Sequence, residues 1–430
     1  MNDFHDAFET RDPAEREAAQ FALLRTQLAE ARQHAPALAE ALAGIDIAGI
    51  ASRAELARVP VTRKPALLER QRAARLSEAR PGADGIDPFG GYSTLAWGAA
   101  LQAQRRARKV FASPGPIYEP EGAWRDYWRM GRALFAAGFR AGDLVHNSFS
   151  YHLTPAGSMM ESGAEAIGCT VFPGGVGQTE QQLQAMADLR PDAYAGTPSF
   201  LRLLLEKAEE MKLALPSLTK AAVSGEACPA ALRDWLAARG VAAYQSYGTA
   251  DLGLVAYETS AREGLVVDEG VILEIVRPGT DEAVADGEVG EVVVTTLNPG
   301  YPLLRFGTGD LSAVLPGACP TGRTGQRIRG WLGRADQSAK VRGMFVHPSQ
   351  VAEIVRRHGE IGRARLVVEG EMADDRMTLH AEVADARDGF ADRVVQTIRD
   401  VTKLRGAVVL CEPSSLPNDG KVIDDRRRVA

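Results

Sequence analysis

Hydrophobic and polar positions divide the chain into stretches of different period. The stretch "DPAEREAAQFALLRTQLAEARQ" reads as a helix. Asp12 can cap it, Pro13 suits its first turn, and Glu15 stands at the capping-box position. More helix follows to about residue 80, broken at "AGI" and "VPVTRK", so an N-terminal helical layer is expected. From Asp143 the pattern changes to short apolar runs that end in small or polar residues: "DLVHNSFS", "CTVFPGG", "DAYAGTP", "KAAVSGEA" and "AAYQSYG". Helical stretches over 155–168, 179–189, 199–213 and 229–239 separate them. Strands alternating with helices predict an α/β fold with a doubly wound parallel sheet, in which ligands bind beyond the carboxyl ends of the strands. The segments expected there, "SYH", "GGVGQTE", "TPS", "SGEA" and "SYGTADLG", are rich in Gly, Ser and Thr. Such loops offer free backbone N–H groups at helix starts.

From about 254 to 316 the long helices stop, and "GVILEIVR", "GEVVVTTL" and "PLLRFGTGDLSAVL" predict a β-rich subdomain. The Gly- and Arg-rich "CPTGRTGQRIRGWLGRAD" reads as a linker. Beyond it, two helices and several short strands predict a small α+β domain, and the polar tail reads as a turn with a short end. The domains are therefore expected at 1–333 and 334–430.

With 430 residues, 45% apolar and 25% charged, the composition is that of a globular protein of more than one core. A net charge of −6 argues against nucleic acid as a partner. No apolar run reaches membrane-spanning length, and "MNDFHDAFETRDPAERE" lacks the basic and apolar regions of a secretory signal. Cys169, Cys228, Cys319 and Cys411 have no paired or zinc-type spacing. Reduced, buried thiols and a cytoplasmic location are expected.

Five segments occur in an order that carries a family resemblance: "SYGTADLG", "GEVGEVVVTTL", "YPLLRFGTGD", "GRADQSAKVRGMFVHPSQVAEIV" and "LPNDGKV". Together with "VPVTRKPALLE" and "CPTGRT", they resemble the phenylacetate-CoA ligase branch of the adenylate-forming acyl-CoA synthetases, from about Val59 to Lys421. The resemblance implies a large domain and a small mobile lid. It implies ATP, Mg2+ and coenzyme A as cofactors and a small-molecule carboxylic acid as substrate; a homodimer is one assembly it allows. It also implies two half-reactions, formation of an acyl-adenylate and then of a thioester.

The site residues follow from the same resemblance. Asp310 would accept from the ribose hydroxyls; read alone, it is a turn aspartate. Gly225, Glu226 and Ala227 would pass along the adenine. Ser246, Tyr247, Gly248, Thr249 and Arg334 would complete the nucleotide site. Asp251 stands where the family has a metal-binding glutamate, one methylene shorter, or it caps the helix that follows. Lys421 would be the catalytic lysine of adenylation, unless it is an ordinary solvated lysine. Asp336 would be the hinge, with Lys340 and Gly343 along the coenzyme A tunnel. Phe149, Tyr151, His152, Gly174 and Gly175 would surround the acid, and an aromatic wall suits an aromatic or arylacetic one. His152 reads equally as a gate or a satisfied polar residue.

The phosphate-loop position departs from the pattern. In "KVFASPGPIYEPEG", Ser113 and Gly115 align, but the Thr pair, the second Gly and the Lys are missing. Pro114 and Pro116 remove N–H donors, and Glu119 and Glu121 add negative charge. Two alternatives therefore stand beside the ligase reading. One is transfer to an amine or a carrier-protein thiol. The other is a degenerate homologue that binds AMP or an acyl-adenylate without making it.

Overall fold

The structure, a computed structural model, describes residues 3–76, 87–98, 103–335, 337–370, 374–413, 415–417 and 421–427. The helix Pro13–His34 begins as its sequence dictates: Asp12 accepts from the N–H groups of Ala14 and Glu15 at 2.8 and 3.1 Å. One face carries Phe21, Leu24, Leu28 and Ala31, which pack with Leu38, Leu56 and Val59 against Ile272 and Leu304. The helical layer thus covers a sheet. Gln20 and Gln27 lie on that buried face too, and their amides donate to the strand carbonyls of Val271 and Thr296. A buried amide is tolerated where backbone acceptors meet it.

The main sheet has nine strands. Five are parallel, in the spatial order Thr170–Pro173, Leu144–Asn147, Ala193–Gly196, Lys220–Val223, Ala242–Thr249. Helices Ala156–Ala166, Thr179–Leu189, Pro198–Glu210 and Ala230–Ala237 make the crossovers. The order reverses around Leu144–Asn147, so the crevice of a doubly wound sheet opens at the end of that strand, at Ser148 and Phe149. After Thr249 the chain turns back, and Gly253–Glu258, Leu265–Val267, Arg327–Ile328 and Val314–Leu315 extend the same sheet antiparallel. The strands after residue 254 therefore divide between two sheets. The second sheet orders Thr62–Arg63, Phe306–Ser312, Gly290–Thr296 and Val271–Val276.

The segment read as a linker is packed structure. Arg323 and Arg327 are buried at 5% and 4% exposure. Arg323 pairs with Glu9, itself buried, which also accepts from the Tyr257 hydroxyl at 2.6 Å. Arg327 donates to the carbonyls of Glu263, Pro316 and Gly317. Composition reads arginines as solvated, whereas here their planar donors are satisfied by fixed acceptors. The small domain has its own core, with strands in the order Ala407–Cys411, Arg376–Val383, Ile361–Glu369, Ile423–Asp425 and helices Pro348–Arg357 and Phe390–Thr402. The polar tail, expected as a turn and a short end, contributes the strand Ile423–Asp425, anchored by buried Ile423. The described cysteines are all free thiols.

Arg305 ties helical layer and second sheet together. It is fully buried, pairs with Glu274 at 3.0 Å and donates to the carbonyls of Ala57, Val59 and Asp281. Arg305→Met should cost roughly 3–5 kcal/mol, because it strands the Glu274 carboxylate in the interior. Its melting temperature should fall clearly, while Arg376→Ala, in an exposed pair with Asp374, should barely move it.

Candidate functional site

The site forms where the antiparallel extension, the second sheet and the interdomain segment meet. Asp310 is its centre. Tyr247 donates its hydroxyl to Oδ2 at 2.8 Å; Trp331 Nε1 and Arg334 Nη1 each donate to Oδ1 at 3.0 Å. A carboxylate has about four lone-pair positions, so one acceptor position remains. Burial and then Asp310 push the Tyr247 hydroxyl well above its ordinary range, keeping it a neutral donor. Gly309, at φ +73°, lets Arg334 approach, since a Cβ there would stand 2.5 Å from Nη2.

A second wall is the turn after Lys220–Val223. Gly225 has φ +87°, and a Cβ on it would lie 3.6 Å from Phe149 Cε1 and Thr197 Cγ2 and 4.0 Å from Lys340 Nζ. Glu226 beside it accepts from the Ser199 N–H at 3.2 Å and from the Ser199 hydroxyl; burial pushes its carboxyl up. Ala227 follows in the same part-exposed turn. Ser246 presents its carbonyl to the Ser224 hydroxyl at 2.7 Å. Gly248 is needed for close approach, as a Cβ would meet the Gly253 carbonyl at 2.7 Å. The Thr249 hydroxyl accepts from the Leu252 N–H at 3.1 Å and so caps the turn that carries Asp251.

Lys340 reaches this wall from the hairpin Ala339–Val341/Met344–Val346 of the interdomain region. Arg342 and Gly343 form its tip, both at positive φ (+48° and +80°), the geometry of a tight two-residue hairpin turn. Gly343 borders open space, with no atom within 4 Å of a Cβ built on it. The Lys340 ammonium lies 5.2 Å from the Phe345 ring centroid. Burial pulls its pKa down, against the opposing pull of Asp310 and Glu226.

The third wall is the hairpin Lys109–Ser113/Ile117–Glu121, which holds the altered loop. Gly115 is exposed, and a Cβ on it would stand 3.0 Å from Ile117 Cγ1 and 3.4 Å from Leu68 Cδ1. The two glutamates have separate surroundings. Glu121 accepts from Trp128 Nε1 at 2.8 Å and the Ser158 hydroxyl at 2.7 Å and pairs with Lys109 at 3.3 Å. Glu119 accepts from the Ser113 N–H at 3.2 Å and from the Ser113 hydroxyl. Burial, and next the Asp251 carboxylate, push Glu119 up to about 8. Asp251 Oδ2 pairs with Lys64 Nζ at 3.0 Å, while its buried Oδ1 has no hydrogen-bond partner. Burial works against the Lys64 charge, but Asp251 and Glu119 outweigh it and raise its pKa.

Phe149 and Tyr151 follow the first parallel strand. Phe149 is buried, and the Tyr151 hydroxyl accepts from Asn147 Nδ2 at 2.8 Å. Gly174 lets the chain pass His146 and Gln182, which a Cβ would meet at 2.8 and 2.9 Å. Gly175 takes φ +68° beside the Tyr151 ring. Two expected residues lie apart from these walls. His152 is exposed, with its backbone N–H on the Ser150 hydroxyl. Lys421 is 55% exposed, 3.6 Å from Asp424, in a cleft shared with Leu311, Trp331, Arg334 and Arg427. Asp336 lies outside the described residues. Lys64 and Trp331 were not singled out from the sequence. Lys64 could have been, as the lysine of "VPVTRK" ahead of a helix, but its partner is 187 positions away.

With this fold and the corner around Asp310, the chain falls in the class of AMP-binding enzymes: residues 148–299 match that family. The chain is 30% identical over 414 residues to a phenylacetate-coenzyme A ligase of Thermus thermophilus, covering 87% of each chain. It is 31% identical over 326 residues to that of Aromatoleum evansii, covering 70% of this chain and 73% of the relative. The chain belongs to the phenylacetate-coenzyme A ligase family. A solved 2-hydroxyisobutyryl-CoA ligase is also similar, at 26% identity. In its thioester-forming state, with acyl-adenylate and CoA, it overlaps at a TM-score of 0.81, covering 98% of this chain and 92% of that one. In its postadenylation state the TM-score is 0.68, over 97% and 91%.

The Glu119 environment makes a prediction about pH. The folded state holds this proton up to about pH 8, whereas an ordinary glutamate releases it near 4.5. Folding therefore takes up a proton in that window, and stability falls as pH rises through it. Thermal melts from pH 5 to 9 should show Glu119→Gln losing less stability than the unmodified chain; parallel profiles would refute the assignment.

Proposed function

We propose that this chain is an AMP-forming acid–CoA ligase acting on a small carboxylic acid, with an aromatic or arylacetic acid favoured by Phe149 and Tyr151. The observation that carries the reading is the convergence on Asp310. Its carboxylate is oriented by Tyr247, Trp331 and Arg334, while Lys340 faces the same corner across Gly225. The remaining acceptor position on Asp310 suits a ribose hydroxyl. Gly225, Glu226 and Ala227 form the edge along which a base would lie, and Ser246, Tyr247, Gly248 and Thr249 its floor. Phe149, Tyr151, Gly174 and Gly175 bound the space for the acid, with His152 at its exposed rim.

In the first half-reaction a carboxylate oxygen of the acid attacks the α-phosphorus of ATP, and pyrophosphate leaves. Two anions must be brought together in line, so cations are needed where charge accumulates. Lys421 is the cation this reading assigns to that step. It sits in the cleft beside Arg334 and Trp331, so reaching the corner requires rotation of the small domain about the segment that contains Asp336. The higher overlap with the thioester-forming state of the related ligase supports assigning the present arrangement to the second half-reaction. There a coenzyme A thiolate attacks the acyl carbon and AMP leaves, with Lys340 and Gly343 bordering the approach.

Among the described residues no group of three or more His, Cys, Asp or Glu is placed to hold a metal. Mg2+ is, however, held by one or two carboxylates together with substrate phosphates. Asp251 fits that use through its unpartnered Oδ1. The ion would neutralise phosphate charge there. No described helix is long and apolar enough to cross a membrane.

Acid-dependent exchange of labelled pyrophosphate into ATP tests the reading over a panel of aromatic and aliphatic acids. Exchange should appear with at least one acid, and Lys421→Ala should reduce it about a hundredfold or more while AMP binding stays. Thioester formation should then require coenzyme A rather than an amine. Tight AMP binding with no exchange for any acid would favour the non-catalytic alternative, for which the altered Ser113 loop is the motive.

A further inference from the structure

The altered loop is not merely poorer in donors; the buried donors at its base are already engaged. Of the three residues between the two strands, Pro114 and Pro116 have no N–H. Gly115, exposed at the tip, keeps an N–H, and the buried donors at the base of the loop are the N–H and hydroxyl of Ser113. Both go to one carboxyl group, with Glu119 Oε2 on the N–H at 3.2 Å and Oε1 on the hydroxyl. Glu119 has no exposed surface, and Ser113 is 4% exposed. The ammonium that faces this hairpin, Lys64, is held on Asp251 at 3.0 Å. An N–H, a hydroxyl and an ammonium are what a phosphate group recruits. Here carboxyl oxygens occupy all three.

We infer that the Glu119 carboxyl is a built-in occupant of the phosphate position, which the terminal phosphates of ATP must displace from Ser113. The inference rests on the proposed placement of the nucleotide at the Asp310 corner. Its consequence is selectivity within the site. AMP and an acyl-adenylate, which end at the α-phosphate, do not compete with Glu119, whereas ATP does. The chain therefore discriminates against the triphosphate relative to the adenylate. The site is biased toward holding the intermediate.

A rival account makes Glu119 only a brace for the hairpin, and the two accounts predict opposite signs. Calorimetric titration of the full chain with MgATP, and separately with AMP, both without acid, decides between them. Glu119→Ala should bind ATP about five- to tenfold tighter, the worth of one freed donor or slightly more, with AMP affinity within about twofold. Glu119→Gln, which keeps the shape and guards against a folding defect, should gain in the same direction and by less. In Ser113→Ala/Glu119→Ala the gain should be largely lost, because the freed hydroxyl is gone. ATP affinity unchanged or weaker in both single variants, with AMP unaffected, overturns the inference and favours the brace. Equal tightening for ATP and AMP overturns it too. Failure of the unmodified chain to bind either nucleotide overturns the proposed placement, and this inference with it.

Discussion

The Asp310 carboxylate is the interaction on which the remaining geometry depends. It lies on a strand of the second sheet, yet its donors come from the main sheet through Tyr247 and from the interdomain segment through Trp331 and Arg334. One buried anion thereby joins three pieces of chain, two of which, the main and second sheets, also share an apolar core. Such an arrangement is not an efficient source of stability, because desolvating a carboxylate and a guanidinium offsets much of their attraction. What it supplies is direction. Hydrogen bonds fix angles, whereas apolar contacts alone would let the sheets slide.

Lys340 is positioned from the opposite side of the same corner. Its hairpin places Ala339, Val341 and Val346 in the core of the small domain, so the ammonium reaches the corner from a different core than Asp310 does. The ammonium stands among Asp310, Glu226, Lys64 and Arg334, a mixture of signs. A mixture of signs suits a ligase with two half-reactions, since the charge on the bound ligand differs between triphosphate and adenylate.

The sequence made the parallel strands and their crossovers legible because their apolar runs are short, regular and bounded by small residues. Asp310, Tyr247 and Gly225 stand out through motif order, and the structure puts the Tyr247 hydroxyl on Asp310. Other features depend on contacts that no local pattern encodes. Arg323 and Arg327 look like linker residues until Glu9 and the carbonyls of Glu263, Pro316 and Gly317 are seen around them. Ile423 sits in a polar tail, and only its pairing beside Leu366 makes it a strand residue. Glu119 and Glu121 read alike as acidic intrusions. Their environments separate them, one neutralised by Lys109, the other turned onto Ser113.

Glu9 carries a consequence for how the chain is made. Its carboxylate is interior, and the groups that satisfy it, Tyr257 and Arg323, come 248 and 314 positions later. At a ribosomal pace of roughly 5–20 residues per second, Glu9 waits on the order of 15–60 s before Arg323 has been synthesised. Through that interval the opening segment has no finished place to dock. The N-terminal helical layer is therefore translated before the groups that satisfy Glu9 and seated late, and a nascent-chain chaperone would find it uncovered in that interval.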